Sequence, residues 1–357
     1  MKWQCLLPLL KYNALKIFYA VQATGNGHIA RAIELLPCLK QYGTVDVFLS
    51  GSNSDLKVDL PVVYRSKGLS LFYHKKGGLD YLRMLKELSV VNAYKDAKAL
   101  PVEKYDLVIN DFESITAAAC KMKKISSVSF GHQSSFQSNN VPRPLKKDAV
   151  GELILKKFAT ATSYVGLHFE EYDDFIFNPI IKKDILNAQP GNKEYITVYL
   201  SHYADEIISE QLFKIPGVRF EVFSKKIKKQ TVEKNITFIP ISNNAFNESM
   251  INSAGIITGA GFETPAETLY LGKKLLCLPI KGQYEQLCNA EALKSFDVPV
   301  ISSIDNNFSA CVVEWLQSQN PKQLVLKNST EQIVQHVMEH SEKTKLHAPD
   351  DLYANVL

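Results

Sequence analysis

The sequence predicts an α/β protein with two successive domains, each built on a parallel sheet. Short apolar runs alternate with segments of helical periodicity from Lys16 onward, and the alternation restarts at Tyr195 after a polar stretch. Glycine-rich or polar turns follow the apolar runs, and the carboxyl ends of parallel strands share one edge of a sheet. We therefore expect two Rossmann-like domains whose parallel sheets face each other across a cleft.

The domain boundaries follow from the same alternation. The stretch DILNAQPGNK is polar and contains a Pro-Gly break, which is typical of a linker. The expected organisation is an N-terminal extension at 1–15, a first domain at 16–183, a linker at 184–193, a second domain at 194–340 and a C-terminal tail at 341–357.

In the first half, strands are expected at apolar runs bounded by glycine or polar residues. These runs occupy 16–21, 45–50, 60–64, 106–110, 125–130, 164–169 and 175–177. Between them, apolar residues at helical spacing predict a helix from Ile29 to Leu39 and another from Tyr81 to Ala99. An alanine-rich helix is expected from Ser114 onward.

In the second half, the same pattern predicts six further strands with helices between them. The apolar runs occupy 195–200, 220–223, 236–239, 255–258, 275–278 and 298–301. The last helix is expected at 330–345, before a polar tail. Strands that alternate with helices in this way form parallel sheets, because each helix carries the chain back to the starting edge.

The composition is that of a globular protein, with 46% apolar and 22% charged residues among 357. The formal net charge of +4 does not indicate a nucleic-acid partner, and none is expected. Lysine-rich runs such as 121–124 and 225–229 are expected to be solvated surface. The alternative is contact with an anionic membrane surface or with an acceptor that carries phosphate.

Cysteine usage and hydropathy bear on the expected location. The six cysteines are scattered without a CxxC pair, which predicts reduced, buried thiols in a cytoplasmic protein. No apolar run approaches the ~18 residues of a spanning helix. The N-terminal stretch is interrupted by Pro8 and Lys11, so a signal peptide is not expected. We expect a cytoplasmic protein, with peripheral contact at the inner membrane face as the alternative.

The stretch from 258 to 290 carries the most chemical information. Its turn at 259–261 offers backbone N–H groups to an anion, and a helix expected to begin at Thr264 adds its positive end. Glu267 lies on the first helical turn, where it could hold a diol; the helix dipole, worth ~0.3–1 kcal/mol, is the alternative reason for an acid there. The next turn adds groups for a polyol: Glu285, Gln286 and Asn289. Together these groups suit a nucleotide-sugar.

The loop at 25–30, GNGHIA, follows the first strand and formally matches a dinucleotide-binding pattern. That pattern requires an acid at the end of the second strand, which here ends at Ser50, so a dehydrogenase is disfavoured. His28 lies at a helix N-terminus, where the dipole keeps the imidazole neutral and able to act as a general base. A histidine that only caps the helix is the alternative.

Further polar residues follow other strands at the same expected edge. Asp111 could hydrogen-bond the far nitrogen of His28, and Glu113 could serve instead; helix capping is the alternative role of Asp111. His132 and Gln133 could line the acceptor side. Ser201 and His202 could reach a phosphate. The alternative for all four is that they are ordinary polar loop residues. No His/Cys spacing and no Asp-x-Asp triplet indicates a metal site.

These motifs resemble the GT-B glycosyltransferases, the superfamily that includes the UDP-glycosyltransferases and the N-acetylglucosaminyltransferase that makes lipid II. The loop at 24–29 resembles the acceptor loop, whose histidine is often the base, and the ordered set from 259 to 289 resembles the donor signature. The His-Cys-Gly-Trp-Asn motif of the plant enzymes is absent, which disfavours a plant-type enzyme, and the sequence departs from the pattern at two further places. The family pattern has Gly-x-Pro where this sequence has Gly272 followed by two lysines. Glu263 occupies a turn position that is usually a small or polar residue in the family.

The resemblance implies site residues in three groups. His28, aided by Asp111, would be catalytic. The donor side would comprise Gly259, Ala260, Gly261, Thr264, Glu267, Glu285, Gln286, Asn289, Ser201, His202 and Ile241. The acceptor side would comprise Asn26, Gly27, His132 and Gln133.

The activity that the resemblance implies is metal-independent, inverting hexosyl transfer. The donor would be a nucleoside-diphosphate sugar, by resemblance a UDP-sugar, which is a co-substrate, so no cofactor is expected. The acceptor would be a hydroxyl of a lipid-linked or small-molecule glycan, for example in a cell envelope. The alternatives are a UDP-sugar epimerase of the same fold, which needs no acceptor, and a non-catalytic protein that binds nucleotides or sugars.

Overall fold

The computed structural model describes residues 15–24, 26–51, 58–68 and 90–346. Most of the expected N-terminal extension and residues 347–357 of the expected tail lie outside this part of the chain, as do Gly25 and the first half of the helix predicted at 81–99. Within the described residues, the strands form two sheets of seven and six strands. The α/β prediction is therefore confirmed.

The first sheet is parallel throughout, in the order β3-β2-β1-β4-β5-β6-β7. Its strands are β1 Leu15–Gln22, β2 Gly43–Ser50, β3 Val62–Ser66, β4 Leu107–Asp111, β5 Val128–Gly131, β6 Ser163–Leu167 and β7 Ile176–Phe177. The order reverses direction at β1 and β4, which are neighbours although the chain passes through β2 and β3 between them. Such a reversal opens a crevice at the carboxyl edge of the sheet.

The helices of the first half are α1 Asn26–Leu39, α2 Val90–Ala99, α3 Ser114–Lys123, α4 Ala149–Lys157 and α5 Lys183–Leu186. Short 3₁₀ helices occupy Val102–Lys104 and His132–Gln137. The stretch predicted as a linker, 184–193, thus begins inside α5. A helix this short is not predictable from hydrophobic periodicity, because one turn is too short to show a period.

The second sheet has the order β10-β11-β9-β8-β12-β13, and only β10 runs antiparallel to its neighbour. Its strands are β8 Tyr195–Tyr199, β9 Arg219–Ser224, β10 Thr231–Glu233, β11 Ile236–Pro240, β12 Gly255–Thr258 and β13 Lys274–Cys277. Two details differ from the prediction. β10 was not predicted, since its three residues are exposed, and the strand expected at 298–301 is a single bridge from Val300 to Cys277.

The helices of the second half lie between and after these strands. They are α6 Asp205–Leu212, α7 Asn243–Asn252, α8 Glu263–Tyr270, α9 Tyr284–Leu293, α10 Phe308–Gln317 and α11 Thr330–Leu346, with a 3₁₀ helix at Lys294–Phe296. α8 begins at Glu263, one residue before the Thr264 start that the sequence predicted.

Both faces of the first sheet are covered, which the side chains of β1 make clear. Ile17 and Tyr19 belong to the apolar cluster that includes residues of α1, whereas Phe18 belongs to the opposite cluster with residues of α2 and α3. Alternate residues of a strand point to opposite faces, so a strand buried on both sides is apolar along its length. This explains why the apolar runs were visible in the sequence.

The last helix, α11, packs against the first sheet although it follows the second in the chain. It contacts α1, β5 and β6, and Val334 and Val337 are buried in the same cluster as the residues of α1. The chain therefore crosses from the second half back to the first, and this return joins the two halves through apolar packing.

Replacing Ile333 with alanine should destabilise the protein by about 2–5 kcal/mol, because this α11 side chain is only 1% exposed and its removal leaves a cavity. Val325→Ala is the matched control, since Val325 is 75% exposed and should change stability by less than about 0.5 kcal/mol. Urea denaturation measures both changes. Equal stabilities of the two variants would mean that α11 is not held by this packing.

Candidate active site

The order of the first sheet brings together two residues far apart in the chain. Val21 of β1 is paired in register with Asp111, the last residue of β4, and α1 begins directly after the turn that follows β1. His28, on the first turn of α1, therefore lies above the end of β4. The distance between His28 Nδ1 and Asp111 Oδ1 is 2.8 Å.

The environment of Asp111 favours its ionised form. The side chain is fully buried, which by itself raises the pKa, but the charges of Arg31 and His28 and their hydrogen bonds outweigh burial, so the pKa of Asp111 lies below its usual value. An ionised carboxylate can only accept hydrogen bonds. His28 Nδ1 must then carry the proton of this contact, which leaves Nε2 with a free lone pair.

Arg31 is a site residue that the sequence reasoning missed. Its Nε and Nη2 donate to Asp111 Oδ2 at 3.1 and 2.9 Å, Nη2 also lies 2.8 Å from Oδ1, and Nη1 donates to Glu263 Oε1 at 2.6 Å. Arg31 is three residues after His28 and so lies on the same face of α1. That spacing was the available signal, but an arginine in a helix is ordinarily a solvated residue.

The two roles considered for Asp111 and Glu113 are divided between them in the structure. Glu113 is the N-cap of α3, where its carboxylate accepts from the backbone N–H groups of Ile115 and Thr116 at 2.8 and 2.6 Å. Asp111 faces His28 instead. Phe112, the residue between them, has a φ of 56°, which is a left-handed backbone conformation. The chain turns there, and the carboxylates of Asp111 and Glu113 point in different directions.

The glycine turn at 259–261 lies between β12 and α8, as predicted. A Cβ built on Gly261 would meet no atom within 4 Å, so this turn borders open space. The N-cap residue of α8, Phe262, has no side-chain capping hydrogen bond. Backbone N–H groups that no side chain caps, at the positive end of a helix, are the elements of an anion site.

Glu267 lies on α8 but is only 1% exposed, and its carboxylate is paired with Lys182 Nζ at 3.1 Å. Burial raises the pKa of Glu267 above its usual value although Lys182 opposes the shift. Lys182, also missed from the sequence, precedes α5 and lies 3.3 Å from Asn247 Oδ1. The structure thus gives Glu267 a lysine partner that the sequence did not indicate.

The polar residues of α9 mostly hold neighbouring segments in place. Gln286 Oε1 accepts from the backbone N–H of Ile280 at 2.9 Å, and Asn289 Nδ2 donates to the carbonyl of Ala260 at 3.1 Å. Asn289 is fully buried, whereas the side chain of Glu285 is 22% exposed. Of the three, Glu285 has the greatest freedom to contact a ligand.

His132 and Gln133 join the first half to α9. The distance from His132 Nε2 to Asn289 Oδ1 is 2.9 Å, and Gln133 Nε2 donates to Glu285 Oε2 at 3.1 Å. The His132 ring stacks on Phe262 at 3.9 Å between centroids, and burial lowers its pKa. Both residues are buried, and their hydrogen bonds to residues of α9 show that they lie at the contact between the two halves of the chain.

The remaining predicted residues lie farther along the second sheet. Ser201 is exposed after β8, and Ile241, after β11, is partly exposed. His202 packs against Tyr203, and in the described part of the chain its buried Nε2 has no hydrogen-bond partner. Burial lowers the pKa of His202. Asn26 and Gly27 begin α1 beside His28.

Two other kinds of site are absent from the described residues. There, no group of three or more His, Cys, Asp and Glu side chains is placed to hold a metal ion. In the same part of the chain, no helix has the length and apolar character needed to cross a membrane.

Two parallel-dominated sheets covered by helices are the architecture of a GT-B glycosyltransferase. The chain belongs to glycosyl transferase family 1, whose model matches residues 15–318. No curated protein matches the chain significantly.

Solved glycosyltransferase structures share this fold. UGT89C1 from Arabidopsis thaliana, complexed with UDP-L-rhamnose, is 15% identical over 96% of this chain and 99% of its own, with a TM-score of 0.58. The calicheamicin glycosyltransferase CalG4 is 11% identical over 94% of this chain and 100% of its own, with a TM-score of 0.55. UGT2 from Phytolacca americana, complexed with UDP-2fluoro-glucose and pterostilbene, is 13% identical over 96% and 98%, with a TM-score of 0.56.

The lowered pKa of Asp111 predicts how acid affects stability. Because the pKa is lower in the folded than in the unfolded protein, ionised Asp111 contributes stability above its unfolded value of about 3.9, and this contribution is lost as pH falls. Asp111→Asn should therefore have a lower free energy of unfolding than wild type at pH 7. The difference between the two free energies should become smaller toward pH 3. Urea denaturation across this range measures the difference. A constant difference would mean that Asp111 is not held ionised.

Proposed function

We propose that the protein is an inverting, metal-independent hexosyltransferase that moves a sugar from a nucleoside-diphosphate sugar to an acceptor hydroxyl. The observation that carries the proposal is the His28–Asp111 pair, which Arg31 connects to Glu263, the first residue of α8. This connection supports a base at His28 that would act near the start of α8, where the 259–261 turn suits a diphosphate.

On the donor side, the backbone of the 259–261 turn and the first turn of α8, at Thr264, would hold the diphosphate. His202, with a buried and unpartnered Nε2, would add a donor or acceptor to it. The pair of Glu267 and Lys182 would hold the ribose hydroxyls, with the carboxylate accepting from them. Ile241 would lie along the base, for which uracil is proposed because the structures with UDP-sugars share this fold.

The sugar hydroxyls would meet the polar residues of α9. Glu285 would accept hydrogen bonds from them, and Gln286 would position the loop before it through the backbone of Ile280. Asn289 holds the backbone of Ala260 and so would set the position of the glycine turn. His132 and Gln133 would then act on the donor through α9, and the acceptor would meet Asn26, Gly27 and His28.

The transfer step follows from the charges of these groups. The acceptor oxygen forms a bond to the anomeric carbon as the bond from that carbon to the diphosphate oxygen breaks, with inversion. His28 Nε2 takes the acceptor proton, and Asp111 stabilises the imidazolium. The base contributes ~10²–10⁴-fold, and amides at the leaving diphosphate contribute more because they are preorganised.

The acceptor is proposed to be a small molecule or a lipid-linked glycan. Structures of the same fold contain quercetin in one case and pterostilbene in another, which supports small acceptors. For a lipid-linked acceptor, the support is an exposed apolar residue, Leu145, directly before Lys146 and Lys147. Such a combination suits peripheral contact with an anionic membrane.

Replacing His28 with glutamine should lower sugar transfer by about 10²–10⁴-fold because the base is lost, while UDP affinity stays within about twofold. Product formation from UDP-sugars with a panel of hydroxyl acceptors measures the rate, and calorimetry measures UDP affinity. Unchanged turnover would remove the base assignment. Consumption of UDP-sugar without any acceptor, and with an isomeric UDP-sugar as product, would identify an epimerase instead.

UDP or a UDP-sugar should raise the melting temperature, and Glu267→Gln should weaken UDP binding by about tenfold, since a charged acceptor for the ribose hydroxyls is lost. Glu314→Gln is the control, because Glu314 is exposed on α10. Equal UDP affinity of Glu267→Gln and wild type would contradict the ribose contact. Stabilisation by NAD alone would overturn the donor assignment.

A further inference from the structure

The first turn of α9, which carries Glu285, is anchored to the first half of the chain at two adjacent side chains. Tyr284, the first residue of α9, donates from its hydroxyl to Glu152 Oε1 on α4 at 2.8 Å. The next residue, Glu285, accepts from Gln133 Nε2 at 3.1 Å. We propose that Tyr284 is a positioning residue that fixes the Glu285 carboxylate for the hydroxyls of the transferred sugar. The inference rests on the proposed function where it gives Glu285 that role.

Tyr284 is held by packing as well as by its hydroxyl. Its side chain is 5% exposed and belongs to an apolar cluster with Phe136 and Leu155 of the first half. A Cβ built on Gly151 of α4 would come 2.6 Å from Tyr284 Cβ, so the two helices touch at a position that a larger residue would not fit. Because protein interiors are close-packed, the ring cannot shift unless α4 or α9 moves with it.

The carboxylate that accepts this hydroxyl is itself held in place. Glu152 Oε1 also accepts from Arg143 Nε at 2.5 Å, and Arg143 Nη2 donates to the carbonyl of Phe136 at 3.1 Å. Phe136 lies in the same 3₁₀ helix as Gln133, which holds Glu285. The hydrogen bonds therefore lead from this 3₁₀ helix through α4 to α9 and back, and they hold the start of α9 from two sides.

The start of α9 needs such support because its own cap supplies none. Its N-cap residue, Gln283, makes no side-chain capping hydrogen bond. The first backbone N–H groups of a helix have no partner within the helix, so an uncapped first turn is stabilised mainly by its tertiary contacts. The side chain of Glu285 is 22% exposed, and ordering a mobile carboxylate around a ligand would cost affinity. Anchoring the turn beforehand reduces that cost.

The anchor bears on the sugar of the donor and not on its nucleotide. The proposed contacts to the nucleotide are made by the 259–261 turn, by α8 and by Ile241, which all lie outside the first turn of α9. Glu285 is the proposed contact to the sugar, and both of its anchors come from the first half. The second half would thus bind the nucleotide, whereas recognition of the sugar would need the two halves in contact.

Binding measurements on Tyr284→Phe test this assignment, since the variant keeps the ring and loses only the hydroxyl. Its affinity for the UDP-sugar that wild type binds most tightly should fall by about tenfold, the size expected when one hydrogen bond to a charged group is lost. Its affinity for UDP should stay within about twofold of wild type, because UDP lacks the transferred sugar. Calorimetry on the whole protein without acceptor measures both affinities.

Two variants of Glu152 show whether Tyr284 acts through this carboxylate. Glu152→Ala should weaken binding of the UDP-sugar as Tyr284→Phe does, and the double variant should be little worse than either, because both changes break the same contact. Glu152→Gln keeps an acceptor for the hydroxyl and should retain most of the affinity. Tyr195→Phe is the matched control, because the Tyr195 hydroxyl donates to the carbonyl of Ser249 within the second half. It should leave both affinities unchanged.

Hydrogen exchange of backbone amides gives a second readout that needs no ligand. The amides of Leu287 and Cys288, which form the first hydrogen bonds of α9, should exchange severalfold faster in Tyr284→Phe and Glu152→Ala than in wild type, because the turn is less firmly held. Tyr195→Phe should exchange at these positions as wild type does. Unchanged exchange in Tyr284→Phe would contradict the anchoring.

The two measurements separate this inference from the proposed function. If wild type binds no UDP-sugar and transfers no sugar, the proposed function fails, and faster exchange in Tyr284→Phe would still support the anchoring of α9. If wild type transfers sugar while Tyr284→Phe and Glu152→Ala bind the UDP-sugar as wild type does, the proposed function stands and the positioning role of Tyr284 is overturned. An equal loss of affinity for UDP and the UDP-sugar would also overturn it, since the effect would then not lie at Glu285.

Discussion

The buried charge of Asp111 is the constraint on which the rest of the site depends. A carboxylate at the end of a central strand loses its water, and among the described residues the side chains of Arg31 and His28 replace that solvation. The same arginine extends to Glu263 at the start of α8. One desolvated group on the first sheet thereby sets the tautomer of His28, the proposed base, and is connected through Arg31 to the opposing helix. Removing any one partner leaves another charge uncompensated.

The contact between the halves is polar at the site and apolar away from it. At the site, His132 and Gln133 meet Asn289 and Glu285. Away from it, α11 returns to pack against α1 and the first sheet. Apolar packing holds the halves together without requiring a defined geometry at the cleft, whereas directional hydrogen bonds fix that geometry. The Glu263 carboxylate would be an unusual neighbour for the proposed diphosphate, and Arg31 compensates its charge.

Much of the fold was predictable because the strands are buried on both faces and their apolar runs are continuous. β10 was missed because its three residues are exposed. A strand was predicted at 298–301, but the structure has only a single bridge there, because an apolar run need not pair with a neighbouring strand along its whole length. In the site, the glycine turn was recognisable from its local sequence. Arg31 and Lys182 were not. The spacing of Arg31 from His28 indicates a shared face of the helix, but it does not distinguish a buried, paired side chain from a solvated one.

The amino-acid sequence was sufficient for the α/β class, the two-part order of the chain and the glycine turn before α8, because each depends on local periodicity or local backbone requirements. The sequence left open whether Asp111 or Glu113 faces His28. It also left open which positively charged side chains pair with the carboxylates of the site. Folding resolves these points, since the adjacency of β1 and β4 brings His28, Arg31 and Asp111 together and the opposing half supplies Glu263. Charges interact through distances in space, and spacing along the chain does not specify those distances.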